Sequence, residues 1–293
     1  MTVALLDHAP LELGEGPRWD AARRRMFLVD ILGGQILRRG HGDAVFTMTA
    51  AGGHVGAVAP VADDGARVLA AIDHGVALVG LATGHRTWLA EPERARRGEV
   101  RMNDGACDPQ GRFVVGSMDY EERVGAGRLW RIDGAGGAEQ LLAHCTVPNG
   151  LVWSDDGAHL FHVDSGPGTI TRYRYGDDGL ADPHVIYRAG DDDGAPDGMC
   201  ADSEGTLWVA FWGGACVRRL TAEGQVLATM PLPMAQTSAC AFVGPDLDRL
   251  LVTSARSGLE DPRPEDGRSA IVDPGVTGVP ATPFMLEAPA TGA

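Results

Sequence analysis

Short apolar segments alternate with turn sequences along the whole chain. The segments are rich in β-branched and aromatic residues, are about 4–8 residues long, and are separated by Asp-Gly, Gly-Gly or Asp-Asp-Gly sequences. In chain order they read RMFLVDI, RVLAAI, VALVGL, RFVVGSM, RLWRI, LVWS, HLFHVDS, ITRYRY, TLWVAFW, CVRRL and RLLVTSA. The best candidate for an amphipathic helix, residues 91–100, is short and weakly periodic. The pattern therefore predicts an all-β protein.

One arrangement of residues recurs through these segments. An acidic or amide residue precedes a glycine, and an apolar segment, a turn and a second apolar segment follow. The clearest copies are GEGPRWDAARRRMFLVDI, RMNDGACDPQGRFVVGSM, NGLVWSDDGAHLFHVDS and PDGMCADSEGTLWVAFWGG. Aligned in this way, the repeats start near Gly16, Gly56, Gly105, Gly150, Gly198 and Ala239, roughly 40–50 residues apart, a period typical of repeat architectures. Six units of about four strands each predict a six-bladed β-propeller.

A propeller ring has to be closed between its last and first units. We expect residues 3–8 to supply a strand to the last unit, beside residues 249–253 and 270–272. Because an internal boundary would break the ring, residues 1–293 are expected to form a single domain. Residues 287–293 read as a frayed tail.

Composition narrows the classes of partner. The chain has 293 residues and a formal net charge of -15, which disfavours binding to nucleic acid or anionic lipid and favours cations. No signal peptide and no membrane-length apolar run are evident. The five cysteines form no CxxC pair and read as reduced, packed thiols. We expect a cytoplasmic protein, a monomer or small homo-oligomer, without nucleic-acid or membrane partners.

The residue before the marker glycine carries oxygen in four of the six units. These residues are Glu15, Asp104, Asn149 and Asp197, whereas the second and sixth units have Val55 and Ser238. Equivalent positions of a propeller lie on a circle around its channel, so three carboxylates would repel one another there unless a cation lay between them. Oxygen donors without Cys or His favour a hard cation such as calcium or magnesium. The alternative is that these Asx-Gly pairs are ordinary turns whose side chains cap their own backbone.

A metal bound by a few protein oxygens keeps open coordination positions. It could polarise a carbonyl or lower the pKa of bound water, which suits an ester or lactone, with Asp197 as a possible general base. Arg101 and Asn103 should point to the same mouth, where Arg101 could orient a substrate or pair with Asp104 or Asp197. The chain has no GxSxG elbow, no GxGxxG fingerprint and no P-loop, so serine-hydrolase, dinucleotide and nucleotide chemistry are disfavoured.

Six ordered motifs resemble the senescence-marker-protein/gluconolactonase/luciferin-regenerating-enzyme family, which includes regucalcin and bacterial sugar lactonases. They are LGEGPRWD, VDILGGQILR, RMNDGACDPQGRFVVGSM, PNGLVWSDDG, PDGMCADSEGTLWVAFWGG and AFVGPDLDRLLVTSAR. The resemblance covers nearly the whole chain. It implies a six-bladed propeller with one divalent metal in the central channel.

The same resemblance implies a set of site residues. The implied metal ligands are Glu15, Asn149 and Asp197, with Asp197 also acting as acid and base. The implied substrate contacts are Arg101, Asn103 and Glu121, and Asp104 is expected beside the metal ligands without coordinating the metal. The chain departs from the family pattern in the loops at 119–128 and 258–267, which would border the mouth of the channel.

These inferences predict a metal-dependent sugar lactonase that opens an aldonolactone to its aldonic acid. Calcium is the first choice of metal, with zinc, magnesium, manganese and iron(II) as alternatives. Two other functions stay open. One is hydrolysis of another ester or an organophosphate at the same site, and the other is non-catalytic calcium binding by a regulatory protein.

Overall fold

Residues 3–287, which a computed structural model describes, form six four-stranded antiparallel sheets arranged as a six-bladed β-propeller. This confirms the predicted all-β class and blade number. The strands are β1 (Val3–Leu5), β2 (Gly14–Asp20), β3 (Arg25–Asp30), β4 (Gln35–Gly40), β5 (Thr47–Ala50), β6 (Val55–Pro60), β7 (Arg67–Ile72), β8 (Gly75–Gly80), β9 (Arg86–Ala90), β10 (Val100–Cys107), β11 (Phe113–Asp119), β12 (Gly127–Ile132), β13 (Ala138–Cys145), β14 (Pro148–Trp153), β15 (His159–Asp164), β16 (Thr169–Gly176), β17 (Gly179–Arg188), β18 (Ala195–Ala201), β19 (Leu207–Trp212), β20 (Cys216–Leu220), β21 (Val226–Pro231), β22 (Gln236–Val243), β23 (Arg249–Ala255) and β24 (Ala270–Val272). Within the predicted helical candidate, residues 91–100, the chain forms only a short 3-10 turn, Arg94–Arg96.

Each blade is built from four strands that follow one another in the sheet. Blade 1 contains β2–β5, blade 2 β6–β9, blade 3 β10–β13, blade 4 β14–β17 and blade 5 β18–β21. Blade 6 contains β22, β23, β24 and β1. The first strand of each blade is the inner strand, and inner strands of neighbouring blades pack against one another around the channel.

Burial falls from the inner to the outer strand of a blade. All residues of the inner strands β6 and β22 are buried, whereas most of the outer strands β13 and β21 is exposed. The hydrophobic clusters lie between blades: Leu69, Phe113 and Ile132 belong to a cluster shared by blades 2 and 3. Each sheet therefore buries its faces against the next blade, which holds the inner strands at fixed positions around the channel.

The ring is closed by the N-terminal strand. β1 pairs antiparallel with β24, and the backbone N–H of Leu6 continues the contact to the carbonyl of Ser269 (2.8 Å). The predicted partner 270–272 is confirmed. The predicted pairing with 249–253 is wrong, because β24 lies between β1 and β23. The single domain over 1–293 stays a prediction.

The C-terminal segment makes a second connection across the ring. The Phe284 N–H donates to the carbonyl of Pro60 (2.8 Å), and the Met285 N–H donates to that of Gly111 (2.9 Å), which links the segment to blades 2 and 3. The Phe284 side chain is fully buried in the cluster between these blades. Of the predicted tail, Glu287 donates its N–H to the Gly134 carbonyl (3.1 Å), and 288–293 lie outside the described residues.

The buried ring of Phe284 should contribute strongly to stability. Phe284→Ala is expected to lower the free energy of unfolding by about 3–5 kcal/mol, the usual effect of emptying a buried aromatic site. Met285→Ala is a matched control, because its side chain is 53% exposed and should change stability by about 0.5 kcal/mol or less. Denaturant unfolding of both variants measures the difference, and equal losses would contradict this role of Phe284.

Candidate metal and substrate site

Every inner strand carries a β-bulge at one level of the channel. The irregularities lie between Glu15 and Arg18, between Val55 and Ala57, between Met102 and Gly105, between Asn149 and Leu151, between Pro196 and Met199, and between Thr237 and Cys240. A bulge adds a residue to one strand and redirects its side chains. The four oxygen-bearing residues of the repeat lie at these bulges, and all four are buried.

The marker glycines allow neighbouring inner strands to approach closely. A Cβ atom on Gly150 would lie 2.6 Å from the carbonyl oxygen of Asp197, and one on Gly198 would lie 2.3 Å from the Cβ of Ala239. No side chain fits at such distances. Gly150 and Gly198 therefore follow Asn149 and Asp197 because the next blade is in contact, whereas a Cβ on Gly105 would meet Phe113 of its own blade (2.6 Å) and Gly16 adopts a positive φ of 52°.

The turn interpretation is also partly right. The Gly16 N–H donates to Oε2 of Glu15 (2.9 Å), and the Gly105 N–H donates to Oδ1 of Asp104 (2.7 Å). Each carboxylate thus accepts the N–H of the glycine that follows it, as a capping residue does. This local bond uses one oxygen and leaves the other available to the channel.

A cavity of about 540 Å³ opens at one mouth of the channel. Five predicted site residues line it, namely Glu15, Arg101, Asn103, Asn149 and Asp197. Two others do not: Asp104 is buried and lies beside Arg18, and Glu121 is exposed. Three of the four residues that the repeat analysis selected, from blades 1, 4 and 5, are therefore gathered in one cavity with Arg101 and Asn103 of blade 3.

A chain of hydrogen bonds connects the polar residues of the cavity. Arg101 Nη1 donates to Oδ1 of Asn103 (2.5 Å), and Nδ2 of Asn103 donates to Oδ1 of Asn149 (2.6 Å). Nδ2 of Asn149 donates to Oγ of Ser165 (2.8 Å), which donates to the carbonyl of Pro196 (2.6 Å). The Asn149 amide is thereby fixed, and one lone pair of its oxygen stays free for a further partner.

Asp197 contains an unpartnered buried oxygen. Its Oδ1 atom has no hydrogen-bond partner, although the residue is only 5% exposed. Leaving a buried polar atom unpaired costs about 1–3 kcal/mol, and more for a charged group. The Asp197 carboxylate is therefore poised to bind a proton or a cation.

Burial and mutual repulsion raise the pKa values of the channel carboxyl groups. Burial raises the pKa of Glu15 to about 8, and repulsion from Asp104 adds to this effect. Burial, followed by repulsion from Glu15 and Asp104, raises the pKa of Asp197 well above its usual range. Both shifts favour the protonated forms of these carboxyl groups, and a positive charge beside them would oppose the shifts.

The guanidinium of Arg18 lies beside Asp104 and compensates its charge. Nη2 of Arg18 lies 3.7 Å from Oδ1 of Asp104 and donates to the carbonyl of Gly105 (2.7 Å). Burial raises the pKa of Asp104, and the Arg18 guanidinium opposes this shift. Arg18 also lines a second, mainly apolar cavity of about 290 Å³. Asp104 is therefore compensated from the side away from the first cavity, whereas the charge of Glu15 and Asp197 faces that cavity.

The donor set fits a hard divalent cation. Glu15 and Asp197 supply carboxylate oxygens and Asn149 supplies an amide oxygen, which are the ligand types that calcium and magnesium prefer. Among residues 3–287, no three His, Cys, Asp or Glu side chains are grouped to hold a metal. A cation in this cavity would therefore need the amide oxygen of Asn149 beside the two carboxylates.

Sequence reasoning missed several cavity residues. Ser165 follows β15 and binds both Asn149 and Pro196. Ser165 is the last residue of HLFHVDS, the position that Ile31 has in RMFLVDI. An alignment of the ends of these strands could therefore have identified Ser165. Tyr120 and Glu122 line the cavity from the loop after β11, and no signal in the sequence distinguished them from Glu121.

Comparisons with known proteins find a family match over most of the chain. Residues 13–256 match the family model described as the SMP-30/Gluconolactonase/LRE-like region. Regucalcin of Xenopus laevis is 30% identical over 93% of this chain and 95% of its own length. Pentonolactonase XacC of Haloferax volcanii is 31% identical over 100% of this chain and 96% of its own length. The crystal structure of a calcium-binding protein, regucalcin, from Agrobacterium tumefaciens has a TM-score of 0.90 at 30% identity and covers 98% of both chains.

Over residues 3–287, no helix is long and apolar enough to cross a membrane.

The raised carboxyl pKa values predict how the stability of the metal-free protein depends on pH. Between the ordinary Glu value of 4.5 and the folded value of about 8 for Glu15, the native state binds more protons than the unfolded chain. The free energy of unfolding should therefore fall as pH rises through this window. In chelator, Glu15→Gln should show a smaller fall, and added calcium should reduce the fall in the wild type. Thermal unfolding from about pH 5 to pH 8 measures both; parallel curves for the two proteins would contradict the assignment.

Proposed function

Because the chain belongs to the SMP-30/gluconolactonase/LRE-like family, we propose that it is a metal-dependent hydrolase that opens a sugar lactone to the aldonic acid. The observation that carries this proposal is the unpartnered Oδ1 of buried Asp197, in one cavity with Glu15, Asn149 and Arg101. The relative named as a pentonolactonase matches the full length of this chain. Its name favours an aldonolactone as the substrate class.

Glu15, Asn149 and Asp197 would hold the divalent cation. When bound, the cation supplies positive charge that polarises the ester carbonyl. Calcium is our first choice, because all three donors are oxygens and because the similar Agrobacterium structure is described as a calcium-binding protein. Zinc, magnesium, manganese and iron(II) are the alternatives.

Asp197 is proposed as the general base. Its free Oδ1 would accept a proton from the water whose oxygen bonds to the lactone carbonyl carbon. When the bond between the carbonyl carbon and the ring oxygen breaks, the same proton can pass to the departing ring oxygen. The overall reaction consumes one lactone and one water molecule and forms one hydroxy acid.

Arg101 and Asn103 are proposed to hold the sugar. Arg101 is 8% exposed and lines the cavity, and its guanidinium stays charged although burial lowers its pKa. One of its N–H groups binds Asn103, and the remaining donors can bind hydroxyl oxygens. Fixed donors of this kind position a polyhydroxylated ring, with its carbonyl above the three oxygen donors.

A second candidate function is calcium binding without turnover. The name of the Agrobacterium neighbour supports it, and the formal charge of -15 is compatible with it. The buried Arg101–Asn103 pair favours the enzyme, because a cation-binding site alone has no need of a guanidinium beside it. We propose no nucleic-acid or membrane partner, and we place the enzyme in the cytoplasm as a monomer or small homo-oligomer.

The reaction is tested by acid release from a panel of aldonolactones. Chelated enzyme resupplied with single divalent metals should hydrolyse one or two of them above the spontaneous rate. Asp197→Asn should lower kcat by at least about 10³-fold, because it removes both the base and a ligand carboxylate. Hydrolysis at the wild-type rate by this variant would exclude the proposed mechanism. Absence of turnover with every metal, together with tight calcium binding, would favour the regulatory function.

Removal of the Arg101 guanidinium should weaken substrate binding. Arg101→Ala is expected to raise KM about 10- to 100-fold, the value of one or two hydrogen bonds from a charged donor. The metal content, measured by elemental analysis, should stay unchanged. Loss of the metal in this variant would instead assign Arg101 a structural role.

A further inference from the structure

Two free thiols of neighbouring blades are in contact. Cys200 lies on β18 of blade 5 and Cys240 lies on β22 of blade 6, and their Sγ atoms are 3.7 Å apart. This separation is within hydrogen-bonding distance for two sulfur atoms, so one thiol donates to the other. All five cysteines of the chain are free, and the contact between these two is therefore one between reduced thiols.

The two strands are held close together just before these thiols. A Cβ atom on Gly198 would lie 2.7 Å from the Cα of Ala239, which directly precedes Cys240. Sγ of Cys240 also lies 3.2 Å from the carbonyl oxygen of Trp208 and 3.9 Å from that of Gly198. The Cys200 and Cys240 thiols thus face each other across an interface that the glycine contact already holds closed.

The two thiols differ in their access to small molecules. Cys200 is partly exposed and lines the second cavity, whereas Cys240 is only 1% exposed. The volume of that cavity, about 290 Å³, is ample for a small peroxide. Burial raises the pKa of Cys240 well above its usual range, and the contact with Cys200 adds to this effect. Because the thiolate is the nucleophilic form of cysteine, attack on an oxidant falls to Cys200.

We propose that Cys200 and Cys240 form an oxidation-sensitive pair, which hydrogen peroxide converts to a disulfide between blades 5 and 6. Sγ of Cys200 bonds to one peroxide oxygen, the O–O bond breaks, and the other oxygen leaves as water with the thiol proton. Sγ of Cys240 then bonds to Sγ of the Cys200 sulfenic acid, the S–O bond breaks, and the hydroxyl leaves as water with the Cys240 proton. Two thiols and one peroxide give one disulfide and two waters, and the peroxide takes two electrons from the sulfur atoms.

Cys240 protects Cys200 in this scheme. A sulfenic acid without a neighbouring thiol is oxidised further to a sulfinic acid, which ordinary thiols do not reduce, whereas a dithiol reverses a disulfide. Cys107 lines the same cavity as Cys200, but burial raises the pKa of its thiol above the usual range, so it provides a matched control. The inference concerns thiols outside the first cavity and does not depend on the proposed lactonase function.

Thiol counting and peptide mapping test the pair. Calcium-loaded protein treated with hydrogen peroxide should lose two of its five thiols. Its digest should contain a peptide pair joined through Cys200 and Cys240, which dithiothreitol separates. The Cys107→Ser variant should give the same joined peptides at the wild-type rate. A disulfide that involves Cys107, or retention of all five thiols while Met199 in the same cavity gains oxygen, would overturn the proposal.

Single-thiol variants separate the roles of the two cysteines. In Cys240→Ser, dimedone should label a sulfenic acid at Cys200, and prolonged peroxide treatment should leave Cys200 in a form that dithiothreitol does not restore. In Cys200→Ser, the buried Cys240 should stay unlabelled. Circular dichroism checks that both variants are folded, and the wild-type peptide map decides alone if either is not. Labelling of Cys240 in Cys200→Ser, or full recovery of Cys200 in Cys240→Ser, would contradict the assigned roles.

Discussion

Three carboxyl groups are buried at one level of a narrow channel, and the site depends on how their charge is compensated. Arg18 pairs with Asp104 from the side of the second cavity. Glu15 and Asp197 face the first cavity, where Oδ1 of Asp197 has no partner. Without a cation, protonation of these groups is favoured, as their raised pKa values indicate. A divalent cation satisfies the same requirement and also provides the positive charge that ester hydrolysis needs.

The propeller makes this arrangement possible because its parts have separate tasks. Hydrophobic clusters between blades fix the inner strands, and bulges in those strands turn side chains toward the channel. Contacts such as that of Gly198 with Ala239 set the spacing between neighbouring blades. The loops beyond the bulges are free to differ, and the loop after β11 positions Tyr120 and Glu122 at the mouth. The residues of the proposed chemistry thus lie on the inner strands, Arg101 and Asn103 included, and the loops border the mouth.

Much of the fold and of the candidate site could be predicted from the sequence, because its strands and turns are local features that repeat along the chain. Strands and turns follow a short period, and six copies of one unit identify both the blade count and the residues before each marker glycine. Contacts between residues that are far apart in the sequence could not be predicted in this way. The pairing of Arg18 with Asp104 and the insertion of Phe284 between blades depend on the ring geometry. The left-handed conformation of Glu122, in a loop bound to buried Asp119, likewise has no signal in the local sequence.

The central claim is that one cation, bound by Glu15, Asn149 and Asp197, gives the protein lactonase activity in this cavity. The most direct measurement titrates calcium into chelated protein at saturating aldonolactone while bound metal and acid release are followed together. The account predicts that hydrolysis rises in proportion to bound metal and reaches its maximum at one ion per chain. Hydrolysis that begins before any metal is bound, or a fully loaded site that releases no acid, would contradict it.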